Sequence, residues 1–171
     1  MQTTAKISEM AAQIVQQASA SNSLIVTAES CTGGMVATAL TDIAGSSSAL
    51  ERGLVTYSDT AKMELLNVKD ATLKAHGAVS AECAAEMVTG ALATTPKAML
   101  AVAITGIAGP GGSTPNKPVG LVHLARQRRG EVPKLDRAMF TGDRTSVRTQ
   151  ATLYALQLLA ELLAGGVGDG R

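Results

Sequence analysis

The run Ala98-Met99-Leu100-Ala101-Val102-Ala103-Ile104 carries no polar side chain over seven residues. It is too short for a buried helix and has the length of a strand. A strand that is apolar at every position has both faces covered, so it belongs at the centre of a sheet between helical layers. Leu24-Ile25-Val26-Thr27-Ala28 is a second short run, partly β-branched, and reads the same way.

The segments between these runs have helical spacing. Ile7, Met10, Ala11, Ile14, Val15 and Ala18 place a one-sided helix over about 4–20. Met35, Val36, Ala39, Leu40 and Ile43 place a second over about 33–44, with Gly45 as its left-handed cap and Ser46-Ser47-Ser48 as a loop. A strand is expected at Leu54-Val55-Thr56-Tyr57. Ser58 or Asp59 then caps a short helix carrying Lys62, Leu65 and Leu66, ended by Asn67. Another short helix runs from Asp70 to His76 and stops at Gly77. Ser80 caps one that holds Ala84, Met87, Val88, Ala91 and Leu92. Two more strands, over 119–125 and 132–140, join through Gly130. A last helix begins near Asp143, and the tail over 165–171 is expected to be disordered. This order predicts an α/β fold: one domain over 1–171, a three-layer α/β/α sandwich around a mixed sheet of about 5–6 strands.

Aromatic residues make up 2% of the chain and Trp is absent, so the core is built from Ala, Val, Leu, Ile and Met. Small side chains allow helices to approach the sheet closely. A net charge of +1 without long single-sign runs argues against nucleic acid or a membrane surface as partner. Arg126-Gln127-Arg128-Arg129 is read as a solvated strand end or hairpin turn. The two cysteines, Cys31 and Cys83, form no CxxC or Cys/His cluster, so no metal site is expected. The first residues lead into an amphipathic helix rather than a signal-peptide core, and no apolar stretch approaches the ~20 residues of a membrane span. A reducing cytoplasm is the expected compartment. The Ala/Leu-rich last helix has enough apolar surface for a homo-oligomer contact, or equally for the core.

Four constellations can carry chemistry. In Glu29-Ser30-Cys31-Thr32-Gly33-Gly34 a hydroxyl leaves a buried strand just before a helix, where unpaired N–H groups converge. Ser30 is a nucleophile there with the N–H groups of Thr32, Gly33 and Gly34 as oxyanion donors, or it is only the helix cap, or the turn holds a phosphate. Cys31 is a rival nucleophile that needs His76 or His123 as its partner. A serine without histidine requires another base. Tyr57 with Lys62 supplies one if burial lowers the lysine pKa toward neutrality; otherwise the pair is a strand tip and a solvated helix residue. Tyr and Lys five apart, without a glycine fingerprint after the first strand, do not match a short-chain dehydrogenase. Thr105-Gly106-Ile107-Ala108-Gly109-Pro110-Gly111-Gly112 leaves the carboxyl end of the central strand, where open α/β sheets bind ligands. Arg144 and Arg148 stand four apart at a helix start and attract an anion such as a phosphate, or pair with surface acids.

Together these segments resemble the CinA C-terminal domain family from about Leu24 to Leu163. The carriers are TAESCTGG (27–34), IAGSS (43–47), ERGLVTYS (51–58), HGAVS (76–80), TGIAGPGG (105–112), KPVG (117–120) and the GDR, VR and YALQ elements within 142–157. Asn67 departs from the pattern, standing where a Gly follows Leu65-Leu66; both residues tolerate a left-handed cap. The resemblance implies deamidation of nicotinamide mononucleotide, a small-molecule substrate, with no metal or organic cofactor. It implies catalytic roles for Ser30, Tyr57 and Lys62, and substrate contacts at Thr105 and Arg144; Thr32, Gly33, Gly34, Ser46, Ser47 and Gly106 are further candidate substrate contacts. Longer members carry an additional N-terminal domain whose activities do not transfer to this chain. The alternative is a non-catalytic nucleotide-binding module on the same fold.

Overall fold

A computed structural model describes residues 2–165. Five strands form one mixed sheet: β1 (Ile25–Glu29), β2 (Leu50–Val55), β3 (Leu100–Gly106), β4 (Leu121–Arg128) and β5 (Lys134–Met139), in the order β2-β1-β3-β4-β5. β1 pairs in parallel with both β2 and β3, while β4 runs antiparallel to β3 and to β5. The helices are α1 (Gln2–Ala20), α2 (Met35–Thr41), α3 (Asp59–Leu66), α4 (Asp70–His76), α5 (Ala81–Thr94) and α6 (Arg144–Gly165). This is the three-layer α/β architecture expected, with the sheet at five strands.

The two apolar runs occupy the interior of the sheet, and every residue of β1 is buried. Alternation along the strands separates two cores. Ile25, Leu100, Val102, Ile104, Val122 and Leu124 face α1, α2 and α6. Val26, Ala28, Ala101, Ala103 and Ala125 face α3 and α5. On the second face the side chains are mostly alanine, so the helices lie close. A Cβ on Gly90 of α5 would sit 1.8 Å from the Leu66 carbonyl oxygen at the end of α3.

Three expectations shift. β2 spans Leu50–Val55 rather than Leu54–Tyr57. It is an edge strand with Glu51 and Arg52 among its residues, and no continuous apolar run marks it. Gly45 has φ 84 but opens a single 3-10 turn, Ser46–Ser48, instead of capping α2, which ends at Thr41. The arginine cluster is not a solvated end. Arg126 pairs with Asp136 at 2.6 Å and Glu161 at 3.0 Å. Arg128 donates to the Leu162 carbonyl of α6, and Arg129 to those of Leu92, Thr95 and Ala98. Two guanidinium groups thus satisfy carbonyls at helix C-terminal ends, where positive charge is favoured.

Asn67 takes the left-handed conformation at the end of α3, φ 55. The apolar face of α6 is spent in the chain's own core through Val147, Ala151, Ala155, Leu156, Leu159 and their neighbours. Gly165 closes that helix, and the rest of the expected tail, 166–171, lies outside the described residues. No helix among the described residues is long and apolar enough to cross a membrane.

Candidate active site

The carboxyl ends of β1, β2, β3 and β5 lie at one edge of the sheet. The chain leaves β1 for β2 on one side and later returns to β3 on the other. The crevice between β1 and β3 is therefore a topological switch point. A cleft of about 300 Å³ opens there, lined by Ser30, Tyr57, Lys62, Thr105, Arg144 and the loop from Gly106 to Gly112.

Ser30 follows β1 directly, and its N–H donates to the Ile104 carbonyl of β3 at 3.0 Å. Thr56 N–H donates to the Glu29 carbonyl at 2.8 Å, which extends the β1–β2 ladder and carries Thr56 and Tyr57 to the same edge. Ser58 caps α3 by accepting the Ala61 N–H at 3.0 Å. One turn into that helix, Lys62 points back under the cleft. Its Nζ donates to Ser30 Oγ at 3.1 Å and to the Thr56 carbonyl at 2.8 Å. The residue is only 1% exposed. Burial lowers its pKa, because an ammonium in a dry site loses hydration, and the neighbouring Cys83 and Asp59 only partly oppose this. Two of the alternatives read from sequence are thereby decided: Lys62 is not a solvated helix residue, and it meets Ser30 directly.

Ser30 is also not the helix cap. The N-cap position of α2 is Gly34, φ 99, with no side-chain cap of its own. Glu29, 1% exposed, does that work. Its Oε2 accepts from Thr32 Oγ1 at 2.7 Å and from the Gly34 and Val36 N–H groups at 3.1 Å, and its Oε1 accepts from Ala37 N–H at 2.9 Å. Gly33 N–H donates to the Ser30 carbonyl at 3.0 Å. The donors expected for an oxyanion at Gly33 and Gly34 are therefore already engaged. Among the described residues, the turn's uncommitted donors are the Cys31 and Thr32 N–H groups. Arg148 braces the turn from behind, donating to the carbonyls of Cys31 at 3.0 Å and Thr32 at 3.2 Å. It clamps the turn and, unlike Arg144, does not line the cleft.

Arg144 stands at the mouth of the cleft and donates to Tyr57 Oη at 2.9 Å and to the Gly109 carbonyl at 2.8 Å. Tyr57 is 60% exposed and lines the cleft, with its hydroxyl on Arg144 rather than on Ser30 or Lys62. Thr105, buried, donates to the Ala78 carbonyl at 2.8 Å and so pins the α4–α5 connection against the cleft. A Cβ on Gly106 would meet Val122 Cγ2 at 2.7 Å, so close β3–β4 pairing requires glycine there. Ser46 and Ser47 lie elsewhere. Their turn precedes β2, whose Leu50 pairs with Ile25 at the start of β1. The length of β1, about 16 Å at 3.3 Å per residue, separates them from Ser30 in the same chain.

Burial pushes the Cys31 thiol up to about 11. His76 faces Glu82 at 3.6 Å, and His123 sits on β4 in register with Thr105. Neither makes a hydrogen bond to Cys31 among the described residues. No group of three or more His, Cys, Asp or Glu residues that could hold a metal gathers among them either. Glu29 was missed from sequence although its signal was present: it is the lone acid in a buried strand, a few residues ahead of a helix that starts without a capping side chain.

Comparison with known proteins bears on the family of the chain. Nicotinamide-nucleotide amidohydrolase PncC of Escherichia coli K12 is 49% identical over 158 residues, covering 92% of this chain and 94% of that protein. A crystal structure of the competence/damage inducible protein CihA from Agrobacterium tumefaciens superposes with a TM-score of 0.89 at 44% identity, covering 92% of this chain and 95% of that one. A CinA-like protein of Anaeromyxobacter dehalogenans is 47% identical over 146 residues, 85% of this chain but 35% of that longer protein. The family model for the CinA C-terminal domain matches residues 7–163, and the chain belongs to that family.

Proposed function

We propose that this chain hydrolyses the carboxamide of nicotinamide mononucleotide to nicotinate mononucleotide and ammonia. The observation that carries the reading is the contact of a buried lysine amine with a serine hydroxyl at the floor of the switch-point cleft, 3.1 Å apart. The identity to proteins named nicotinamide-nucleotide amidohydrolase supplies the substrate.

The chemistry follows from the residues. Neutral Lys62 accepts the Ser30 proton as Oγ attacks the carboxamide carbon. The developing oxyanion is met by the N–H groups of Cys31 and Thr32. The Lys62 ammonium returns the proton to the departing nitrogen, which leaves as ammonia. Water then adds to the nicotinoyl ester, giving its proton to Lys62, and Ser30 is regenerated. The Thr56 carbonyl holds Lys62 in place through each step. Arg144, which uses two N–H groups on Tyr57 and Gly109, has others left for the nucleotide phosphate. Tyr57 orients that guanidinium and walls the cleft. Thr105 and Gly106 shape the wall opposite, while Thr32, Gly33 and Gly34 hold the form of the nucleophile turn.

The test is ammonia release from nicotinamide mononucleotide by the purified chain and by its Ser30→Ala variant. Turnover by the parent and none by a folded Ser30→Ala protein is the expected result. Full activity in the variant would refute the serine assignment, and binding without release by the parent would favour a non-catalytic nucleotide-binding module.

A further inference from the structure

The geometry points to Glu29 as a positioning residue for the nucleophile: its buried carboxylate takes the first N–H groups of α2 and fixes the turn that presents the Ser30 hydroxyl to Lys62. This rests on the reading of Ser30 as nucleophile. A short polar side chain at the N-cap ordinarily accepts from the first N–H groups of a helix, but the N-cap of α2 is Gly34, which has none. Here those groups point at Glu29 instead. The Gly34, Val36 and Ala37 N–H groups and the Thr32 hydroxyl fill its two oxygens with four hydrogen bonds. All four bonds run toward the carboxylate, three to Oε2 and one to Oε1. No Lys or Arg pairs with it among the described residues.

The consequence is geometric. Residues 30–34 are tied at both ends, to Ile104 by the Ser30 N–H and to Glu29 by Thr32 and Gly34, with Arg148 on the carbonyls between. Ser30 Oγ has one polar contact within this frame, Lys62 Nζ. A carboxamide cannot replace the carboxylate. One end of Gln accepts, but the other would present N–H groups to N–H donors. At least one oxygen's set of donors loses its acceptor, and the turn must relax around Ser30.

Glu29→Gln is therefore expected to lower kcat by about 100-fold, the loss that a 1 Å misplacement of a reacting group brings. KM should stay within about twofold, because Glu29 is buried beneath the turn and does not line the cleft. The rate of Ser30 labelling by a fluorophosphonate should fall in parallel, and this readout does not depend on the substrate. Parental kcat and labelling rate in Glu29→Gln, or a raised KM with kcat unchanged, would overturn the inference. If Glu29→Gln does not fold, Thr32→Val removes one of the four donors; a fall in kcat and labelling of about 3- to 10-fold supports the assignment, and parental values overturn it. A parent that is labelled at Ser30 but releases no ammonia would refute the amidase reading alone, and the labelling rates would still decide Glu29. A parent that is not labelled at Ser30 overturns both.

Discussion

Replacing Lys62 by methionine separates the two consequences of a buried base. Lys62 Nζ is the polar group in contact with Ser30 Oγ, and the two histidines lie elsewhere on α4 and β4. Among the described residues no other side chain makes a hydrogen bond to Ser30 Oγ. General base catalysis contributes about 100- to 10,000-fold, so kcat should fall by that factor, which corresponds to about 3–5 kcal/mol of barrier. The stability of the same variant reports the ionisation. The folded pKa of Lys62 lies below the ordinary 10.5 because burial disfavours the ammonium. Between the folded value and 10.5 the unfolded chain binds more protons, so the parent gains stability as pH rises through that window. Below it both states are charged and the folded state carries the full cost of the buried charge. Methionine carries no such cost. The stability of parent minus variant should therefore be least favourable to the parent below the folded value and should increase toward pH 10.5. Denaturant melts of both proteins across this range measure the difference, and ammonia release measures kcat. A variant that keeps a tenth or more of parental kcat would refute the base assignment. A stability difference independent of pH would refute the buried, depressed amine.

The rate profile of the parent should follow the same group: kcat/KM should fall on the acid side as Lys62 takes up its proton, at a pH below the ordinary lysine value of 10.5, and a profile flat across the acid and neutral range would contradict it. Cys31→Ala should leave turnover within a few-fold of the parent, since burial holds the thiol up at about 11 and no histidine bonds it; a folded but inactive protein would restore the thiol as nucleophile. Arg144→Ala should raise KM for the nucleotide by about 10- to 100-fold, the worth of a charged hydrogen bond to phosphate, with kcat little changed, and steady-state kinetics would show otherwise. Gly90→Ala places a methyl 1.8 Å from the Leu66 carbonyl oxygen and should cost about 3 kcal/mol in an unfolding titration.

Periodicity and apolar runs, which depend only on neighbours along the chain, were enough to determine the element order, the central strands, the caps at Asn67 and Ser80, and the α/β class. Edge strand β2 was displaced because its ends and exposed residues carry no such signal; only pairing with β1 defines it. The candidate site divides in the same way. Ser30, Tyr57, Lys62 and Arg144 were legible as residues capable of chemistry in a family pattern. Whether Ser30 caps a helix or faces a base could not be read from sequence, because the answer lies in which oxygen takes the α2 donors. The tertiary structure gives that work to Glu29 and buries Lys62 beneath Ser30. It likewise assigned Arg148 to the turn carbonyls and left Arg144 at the cleft, although the two were equivalent by spacing. Local sequence sets which groups are available. Their contacts across the sheet edge bring together residues tens of positions apart, and these contacts decide which groups remain free to react.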